Sequence, residues 1–424
     1  MTLRIEFKWI DAGRSVDRLS SATMAELVIV ANGVVLTSHV DRQNHSYADE
    51  ITVPLHPVAG WLTSWWWAIF HEYGEWAVEE DAEYLQRHDM AFAGAGFVYP
   101  NVLLQPTGRF MEIRSRHAAR RHSPIEFLRK STTQVPLDQA EAEFSKLITA
   151  VVERLRLDGL SGSDVEEDWE AIGALKPEEM AFCEAAGRFG LDPFDARQED
   201  AAAIERLGVA AEPSLRDDLF GLVSPCHAEA LLEGVRAARD RAEAERSGSA
   251  WTSLAAGPPP STASALPWEA GFAFARWARE RMNLDGEPLS FQGDQAVATV
   301  DLEVGADRLS GVVSSTSPTC ALRPGGLRTS RRFTQARAVG DYLMRATPGP
   351  SLLTSMRTDR QSRTRSFAAE FLAPAEGIRA RLAGPRGRRI VDAALIDAIA
   401  DEYGVSSSVV AHKIQNHDLG SVAT

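Results

Sequence analysis

The spacing of hydrophobic residues changes along the chain, and this change restricts the fold more than any other feature of the sequence. Apolar and polar residues alternate over Leu3–Trp9, which is the period of a half-buried β-strand. Residues 26–40 contain two β-rich runs joined by Asn32 and Gly33, a pair typical of a type I′ hairpin turn. From about Ser131 the spacing becomes helical. The sequence therefore predicts an α+β fold.

The N-terminal part, residues 1–130, is predicted to be an α+β domain with a small sheet. Further strands are expected at 51–55, 101–105 and 109–114. A Trp-rich segment between them suits one helix across a face of the sheet, with Pro57 near its start. Trp65, Trp66 and Trp67 lie about 100° apart around a helix, so at least one should be exposed or contact another domain or a partner. Interdomain packing and a partner or base-stacking surface are the two interpretations.

The remaining chain is predicted to form three further parts. Residues 131–246 form a helical region, in which the acidic residues 164–168 are expected to be a solvated loop. Residues 247–267 are rich in Gly, Ser, Ala and Pro and are predicted to be an extended, partly stiff linker. Residues 268–424 form a C-terminal domain with an amphipathic helix, a pair of strands and several helices.

Composition limits the class of protein. The chain is 44% hydrophobic and 25% charged, and no apolar run approaches the roughly 18 to 20 residues that span a bilayer. The N-terminus lacks a basic segment followed by an apolar one, so we expect a cytoplasmic protein with no membrane partner. The three cysteines, Cys183, Cys226 and Cys320, are far apart and are expected to be small buried hydrophobic residues.

Charge is distributed unevenly. The net charge is −14, but residues 321–424 carry 16 Lys and Arg against 9 Asp and Glu, a net +7. Ten arginines lie between Arg323 and Arg365, against the two acids Asp341 and Asp359. Dense arginine suits bidentate recognition of phosphate or carboxylate groups. The alternative is that these arginines pair with the acidic residues earlier in the same chain.

Three short motifs occur in the C-terminal domain: RFTQA from Arg332 with Gly340 after it, FAAEFLAP from Phe367, and YGVS from Tyr403. In their order and spacing they resemble the ImmA/IrrE family of zinc-metallopeptidase-like proteins. The resemblance covers about a third of the chain and implies a zincin-like C-terminal domain. It also implies a role in bacterial regulation, where family members cleave repressors in mobile-element, stress and toxin–antitoxin settings.

The resemblance also implies a metal site, but its residues are replaced. The two zinc-binding histidines of the family fall on Arg337 and Asp341, the catalytic glutamate falls on Ala338, and the third ligand falls on Arg363. Two histidines one helical turn apart would supply neutral nitrogen ligands, and the glutamate would polarise a zinc-bound water. Arginine stays positively charged and has no lone pair to donate. We therefore expect a pseudopeptidase with no catalytic residue, no bound zinc and no other cofactor.

We expect the charged residues of the former site to have a new role. Asp341 is predicted to pair with Arg337 or Arg363, so that an ion-pair cluster fills the zinc position. The surrounding arginines are candidates for binding a protein partner; they are Arg328, Arg331, Arg332, Arg337, Arg360, Arg363 and Arg365.

Two other segments offer competing interpretations. His71 and Glu72 form a His-Glu pair on a predicted helix, and a metal there would need a further ligand such as His88. Residues 399–410 resemble a helix-turn-helix, but its second helix offers only His412 and Lys413 as basic groups.

Three hypotheses for the function follow. The first is a non-catalytic regulatory or defence-related protein that binds a protein partner in the degenerate cleft. The second is a nucleic-acid-linked regulator that uses the Arg-rich segment and the helix-turn-helix-like end. The third is an enzyme, either a zinc peptidase with relocated ligands or an activity in the N-terminal region.

Overall fold

The computed structural model describes residues 1–11, 17–75, 81–117, 123–262, 266–345, 348–382 and 390–422. These residues group into two units. Unit 1 comprises residues 1–210 with 224–226, and unit 2 comprises residues 211–223 with 227–424. Sheets lie at the N-terminal end, and the middle and C-terminal regions are mainly helical, which confirms the prediction of a mixed α+β fold.

The strands of unit 1 form three antiparallel sheets. In the first, β2 pairs with β1, β3 and β6; the second has the order β10-β8-β7 and the third β5-β4-β9. The bounds are β1 Leu3–Trp9, β2 Met24–Ala31, β3 Val34–Val35, β4 His39–Asp41, β5 Ser46–Ala48, β6 Ile51–Pro54, β7 Val102–Pro106, β8 Phe110–Ser115, β9 Ile125–Phe127 and β10 Ser131–Pro136.

The predicted hairpin is confirmed. Strand β2 pairs with β3, and Val30 lies opposite Val35. Asn32 and Gly33 at the turn both have positive φ, 49° and 81°. A type I′ turn requires positive φ at both central residues, and asparagine and glycine tolerate it best.

The helices of unit 1 pack on these sheets. Their bounds are α1 Arg18–Ala22, α2 His56–Ser64, α3 Trp66–His71, α4 Ala82–His88, α5 Leu137–Leu157, α6 Asp164–Gly173, α7 Pro177–Arg188 and α8 Gln198–Ala210. A short 3-10 helix, Met90–Ala93, follows α4. Helix α5 buries Phe144, Leu147, Ile148 and Val151, the helical spacing that predicted it.

The Trp-rich segment forms two helices instead of the one predicted, because the helical conformation is interrupted at Trp65, between α2 and α3. Trp66 and Trp67 are buried, with 5% and 7% of their surface exposed, and Trp65 is half-buried. The Trp66 ring lies 5.1 Å from that of Trp169 in α6. The backbone of Trp67 packs so closely on Gly187 of α7 that a Cβ there would lie 2.4 Å from the Trp67 carbonyl oxygen. Packing against the helical region is therefore what the structure shows.

The acidic stretch at 164–168 is a helix, so the prediction of a loop is wrong. The Ser163 side chain accepts a hydrogen bond from the backbone N–H of Glu166 and caps α6. Asp164, Glu166 and Glu167 then lie in the first turn, where negative charge is favoured by the helix dipole. The density of acids therefore marks a helix start here.

Unit 2 combines a four-stranded sheet with helices. The sheet has the order β11-β13-β12-β14, in which β11 is parallel to β13 and the other pairs are antiparallel. The strands are β11 Thr299–Asp301, β12 Leu309–Val313, β13 Cys320–Leu322, β14 Ser351–Thr354, β15 Ile390–Val391 and β16 Ser421–Val422. The two predicted strands of this region are thus separated by β13.

Along the chain, helices α9 to α12 precede this sheet, α13 lies between strands β13 and β14, and α14 to α17 follow β14. They are α9 Pro213–Leu219, α10 Pro225–Ala244, α11 Ser249–Ala255, α12 Pro267–Arg281, α13 Arg328–Met344, α14 Asp359–Leu372, α15 Ala375–Leu382, α16 Ala393–Tyr403 and α17 Ser407–Asn416. A 3-10 helix spans Gly293–Gln295. Gly404, with φ 64°, ends α16 in the left-handed conformation and allows the predicted turn into α17.

The predicted linker is partly wrong. Residues 249–255 form α11, whose Trp251 is fully buried and donates its indole N–H to the Ala296 carbonyl at 3.0 Å. Residues 256–262 have no helix or strand, as expected, and 263–265 lie outside the described residues. The apolar side chains of Trp251 and Leu254 join the core of unit 2 and hold this helix in place.

The cysteine prediction holds for two of three residues. Cys183 and Cys320 are buried, but Cys226 is exposed near the start of α10. Burial raises the pKa of both Cys183 and Cys320, to about 11 and about 12. Within the described part of the chain, no helix combines the length and apolar character that a bilayer crossing requires.

Candidate functional site

Arg337, which stands where the resemblance would place the first zinc-binding histidine, is buried inside unit 2. Only 5% of its surface is exposed. Its Nη2 donates to the Thr354 carbonyl of β14 at 2.9 Å and also to Oε1 of Gln361 in α14. Its Nε lies 3.4 Å from Oγ1 of Thr364. The guanidinium thus fills the space between α13, β14 and α14, and these hydrogen bonds run to uncharged acceptors.

Gln361 orients the acceptors around Arg337. Its side chain is fully buried, and its Nε2 donates to the Leu352 carbonyl at 2.8 Å. Its Oε1 accepts from the Thr354 N–H at 3.0 Å as well as from Arg337. Burial and the neighbouring Arg365 lower the pKa of Arg337, but an arginine starts so high that it stays charged at neutral pH.

Asp341, at the second histidine position, pairs with different partners from those predicted. Its Oδ1 accepts from Nε of Arg360 at 2.8 Å. Its Oδ2 accepts from Nη2 of Arg345 at 2.9 Å and from Oγ of Ser351 at 2.5 Å. The predicted pairing with Arg337 is therefore not formed, because Arg337 donates to Gln361 and to the Thr354 carbonyl of β14, while Arg363 lies beside Asp341 in the same pocket.

The electrostatics around Asp341 follow from this geometry. Burial alone would raise the pKa of Asp341, but Arg360 and Arg345 hold it below its ordinary value. Asp218 on α9 forms an ion pair with Arg360, with 3.2 Å between its Oδ2 and Nη1 of the arginine. For Asp218 burial prevails, and its pKa is raised although Arg360 opposes the shift.

The other two positions to which the resemblance assigns site residues differ in their surroundings. Ala338 is fully buried in the hydrophobic core of unit 2 and has no contact with solvent. Arg363 lines a pocket of about 230 Å³ beside Asp341. The residues that line this pocket are Ser214, Asp341, Met344, Arg345, Gly349, Pro350, Ser351, Arg360, Arg363 and Thr364. We call it the arginine pocket.

The seven candidate arginines fall into two groups. Arg337, Arg360, Arg363 and Arg365 lie on α13 and α14 around β14, where Arg365 donates to the Thr354 and Met356 carbonyls at 2.8 Å each. Arg328, Arg331 and Arg332 lie in the first turns of α13, away from the pocket lining. Arg328 is exposed, Arg331 donates to the Arg323 carbonyl at 3.2 Å, and Arg332 donates to the Leu289 carbonyl.

Among the residues of the site that were missed from the sequence, three form ion pairs or hydrogen bonds with its charged groups from outside the predicted set. Arg345 lies one helical turn after Asp341, and this i, i+4 spacing of opposite charges indicates an ion pair. Ser214 and Asp218 come from α9, more than 100 residues earlier, and their carbonyl and carboxylate both accept from Arg360. No local pattern in the sequence points to that contact.

The competing His-Glu pair of unit 1 belongs to a buried ion cluster. Glu72 accepts from Nε and Nη2 of Arg87 at 2.7 and 2.6 Å and from Nε2 of His88 at 3.0 Å. The other ring nitrogen of His88 lies 2.8 Å from the Leu104 carbonyl. Burial would raise the pKa of Glu72, but the hydrogen bonds of His88 and Arg87 lower it. His71 instead stacks on Trp67.

One of the two basic side chains on the second helix of the helix-turn-helix-like end is buried. Lys413 is 3% exposed and forms an ion pair with Glu370, to which Arg276 also binds. His412 is exposed on α17. Metal ligands are also sparse, since the described residues hold no group of three or more His, Cys, Asp or Glu placed to bind an ion.

Comparison with known proteins adds no relative. No family model, no curated protein and no solved structure matches the chain. The resemblance to the ImmA/IrrE family thus depends on the three motifs alone.

Proposed function

We propose that the chain is a non-catalytic, pseudopeptidase-type protein of bacterial regulation, defence or stress response, and that it binds a protein partner through the arginine pocket. The motifs supply the family resemblance, and the surroundings of Arg337 supply the reason why the family's chemistry is absent. A protein of this kind would bind the protein that an active peptidase of the family would cleave, and would leave it uncut.

The buried guanidinium of Arg337 is the observation that carries the proposal. It brings a fixed positive charge into the space where the family would hold Zn²⁺, and like charges in a medium of low dielectric constant repel strongly. Its bonds to Thr354 and Gln361 join α13, β14 and α14. Arg337 therefore supports the scaffold in place of a metal.

The arginine pocket is what remains for binding beside that filled position. It presents Arg345, Arg360 and Arg363 together with the hydroxyl residues Ser214, Ser351 and Thr364. Arginine is enriched where proteins bind one another, and its planar fork suits carboxylate and phosphate groups. A partner that inserts an anionic group would use these arginines as its anchor.

The first test is the zinc content of the purified, untagged protein after dialysis against a weak chelator. We expect no stoichiometric zinc in the native protein. We expect about one zinc in a variant with Arg337→His, Ala338→Glu, Asp341→His and Arg363→Glu, as a three-ligand site predicts. Circular dichroism shows whether that variant is folded. Stoichiometric zinc in the native protein would contradict the proposal and favour a peptidase with relocated ligands.

The partner is tested by photo-crosslinking in the cells that make the protein. A photoreactive amino acid replaces Met344, which lines the pocket, and in the control it replaces the exposed Arg328. We expect one discrete protein adduct from position 344 and none of equal yield from position 328. Equal yields from both positions, or crosslinking of nucleic acid alone, would count against a pocket partner.

The nucleic-acid hypothesis has less support. The Arg-rich segment does present Arg328 at the surface, but Lys413 of the helix-turn-helix-like end is buried in an ion pair. Binding to DNA whose affinity falls steeply with salt would favour it.

A further inference from the structure

The arginine pocket has a charge pattern that specifies its ligand. Of the ten residues that line it, three are arginines and one, Asp341, is an acid. Both carboxylate oxygens of Asp341 are engaged, one by Arg360 and the other by Arg345 and Ser351. The carboxylate therefore orients the two guanidinium groups at the pocket wall.

Arg360 and Arg345 are fixed from behind. Arg360 also contacts Asp218 and the Ser214 carbonyl, and 25% of its side chain is exposed. Arg345 donates to the carbonyls of Ser314, Ser315 and Gly349 through Nη1. Side chains held in this way lose little freedom when a ligand binds, which favours affinity.

Both arginines retain donor atoms without an acceptor. Nη2 of Arg360 and Nε of Arg345 are buried, and neither donates a hydrogen bond within the described residues. A buried N–H of a charged group without an acceptor is unfavourable. An oxyanion at the pocket wall, with a small adjustment of either side chain, would accept from them.

Further positive charge lies close to these groups. Arg337 on α13 and Arg365 on α14 both donate to the Thr354 carbonyl of β14, and Arg337 interacts electrostatically with Arg365, Arg360, Asp218 and Asp341. Asp218 and Asp341 balance part of this charge. The cluster therefore holds five arginines around two buried carboxylates, which favours a ligand of more than one negative charge.

We infer that the arginine pocket binds a phosphate monoester. Its charge of about −1.5 to −2 and three acceptor oxygens suit the remaining N–H donors and the excess positive charge of this pocket better than a planar, singly charged carboxylate does. The cavity of about 230 Å³ has room for this group and a few further atoms. The phosphate belongs to a phosphorylated side chain of the partner or to a small phosphorylated metabolite. The inference rests on the proposed function only in placing the ligand in the same pocket.

Isothermal titration of the full chain in low-salt, phosphate-free buffer tests this inference. The probes are phosphoserine, ribose 5-phosphate, serine and glutamate. We expect both phosphates to bind and serine to give no heat, while glutamate binds at least tenfold more weakly than the better phosphate. Glutamate as tight as the phosphates, or no binding of either phosphate, overturns the inference. Tighter binding of phosphoserine identifies a phosphorylated side chain of the partner as the source, and tighter binding of ribose 5-phosphate identifies a metabolite.

Matched variants locate the binding. Arg363→Gln removes a fork from the wall, and we expect it to weaken phosphate binding by about tenfold or more, the effect of one charge-assisted hydrogen bond. Gly349→Leu fills the pocket beside Ser214 without removing charge, and we expect it to weaken binding as well. Arg328→Gln, outside the pocket, should leave it unchanged. Equal losses in Arg328→Gln and Arg363→Gln would show general charge attraction and overturn the inference.

The two proposals fail separately. Phosphate binding is measured on the protein alone, so it can fail while the crosslink at position 344 still identifies a partner. A metabolite phosphate that binds tightly without any crosslinked adduct contradicts the partner and leaves the phosphate site intact.

Discussion

At the scale of the residue, Arg337 determines what α13 can do. Its guanidinium donates hydrogen bonds and has no lone pair for a metal ion, and the fold surrounds it with the acceptors Thr354, Gln361 and Thr364. The sequence shows this property directly because the identity of the side chain is sufficient. It does not show the acceptors, which come from two other elements.

Arg337→Met should destabilise the protein by about 2–4 kcal/mol, because it leaves the buried Thr354 carbonyl and Gln361 Oε1 without their charged donor. Arg337→Lys should cost nearly as much, since lysine cannot reproduce the fork. The exposed Arg328→Met is the control and should change stability by at most about 0.5 kcal/mol. Denaturant unfolding measures all three, and a Met variant as stable as the native protein would remove the structural role of Arg337.

His71 predicts how stability depends on pH. Burial, with a smaller effect of Arg188, lowers its pKa to about 4. Between that value and about 6.5 the unfolded chain binds a proton that the folded chain does not, so stability should fall as the pH falls through this range. The loss should reach up to about 3 kcal/mol near pH 4. His71→Gln should flatten the curve between pH 4.5 and 6.5, and the exposed His45→Gln should not.

Glu72 adds to this dependence at lower pH. Its pKa is lowered in the folded state, so the stability it contributes is present above its ordinary pKa of about 4.5 and is lost as the pH falls below that. The range from pH 4.5 to 6.5 therefore avoids Glu72, but burial also lowers the pKa of His56 and of His417, so the native curve alone does not report on His71. The difference between the native and His71→Gln curves measures its contribution, and two curves of equal slope in this range would contradict the assignment.

At the scale of the element, α13 and α14 approach closely at Gly340, which follows the first of the three sequence motifs. A Cβ on Gly340 would lie 2.5 Å from a ring carbon of Phe367, so the two helices meet where a side chain is missing. Phe367 belongs to the second motif. The motif residues are thus explained by packing in the described structure, without reference to any chemistry.

Gly340→Ala should destabilise the protein by about 1–3 kcal/mol through overpacking against Phe367. Gly208→Ala in α8 is a matched control, because it is also a helical glycine but has open space around it. That control should stabilise by about 0.5–1 kcal/mol through helix propensity. Thermal or denaturant unfolding gives both values, and equal effects of the same sign would exclude the packing explanation.

Elements with a strong hydrophobic period were predictable, and those defined by local hydrogen bonds or by tertiary burial were not. Helices α5, α12 and α13 follow their periodicity. Helix α6 begins at a cap formed by Ser163, and in the sequence the acidic residues that follow this cap resemble a solvated loop. Helix α11 sits in a Gly- and Ser-rich segment and is held by the burial of Trp251 in the core of unit 2.

At the scale of the whole molecule, the fold class and the uneven charge were accessible from the sequence, but only a minority of the residues of the site were. The candidates on α13 and α14 do include three residues of the pocket lining, Asp341, Arg360 and Arg363. The pairing of Arg360 with Asp218 is, inside unit 2, one instance of the alternative that the arginines find acids from earlier in the chain, whereas Arg332 and Arg337 donate to uncharged acceptors. Contacts between residues so distant in sequence follow from topology, which composition and periodicity do not specify.

The path of the chain between the units has a practical consequence. Residues 211–223, which carry α9, belong to unit 2, although residues 224–226 belong to unit 1. A C-terminal fragment that starts in the Gly- and Pro-rich segment after residue 246 would therefore lack α9. Without Asp218 and the Ser214 carbonyl, Arg360 in such a fragment loses two of its acceptors and the pocket loses a wall. Work that excises the motif-bearing half at its apparent boundary would study an incomplete site.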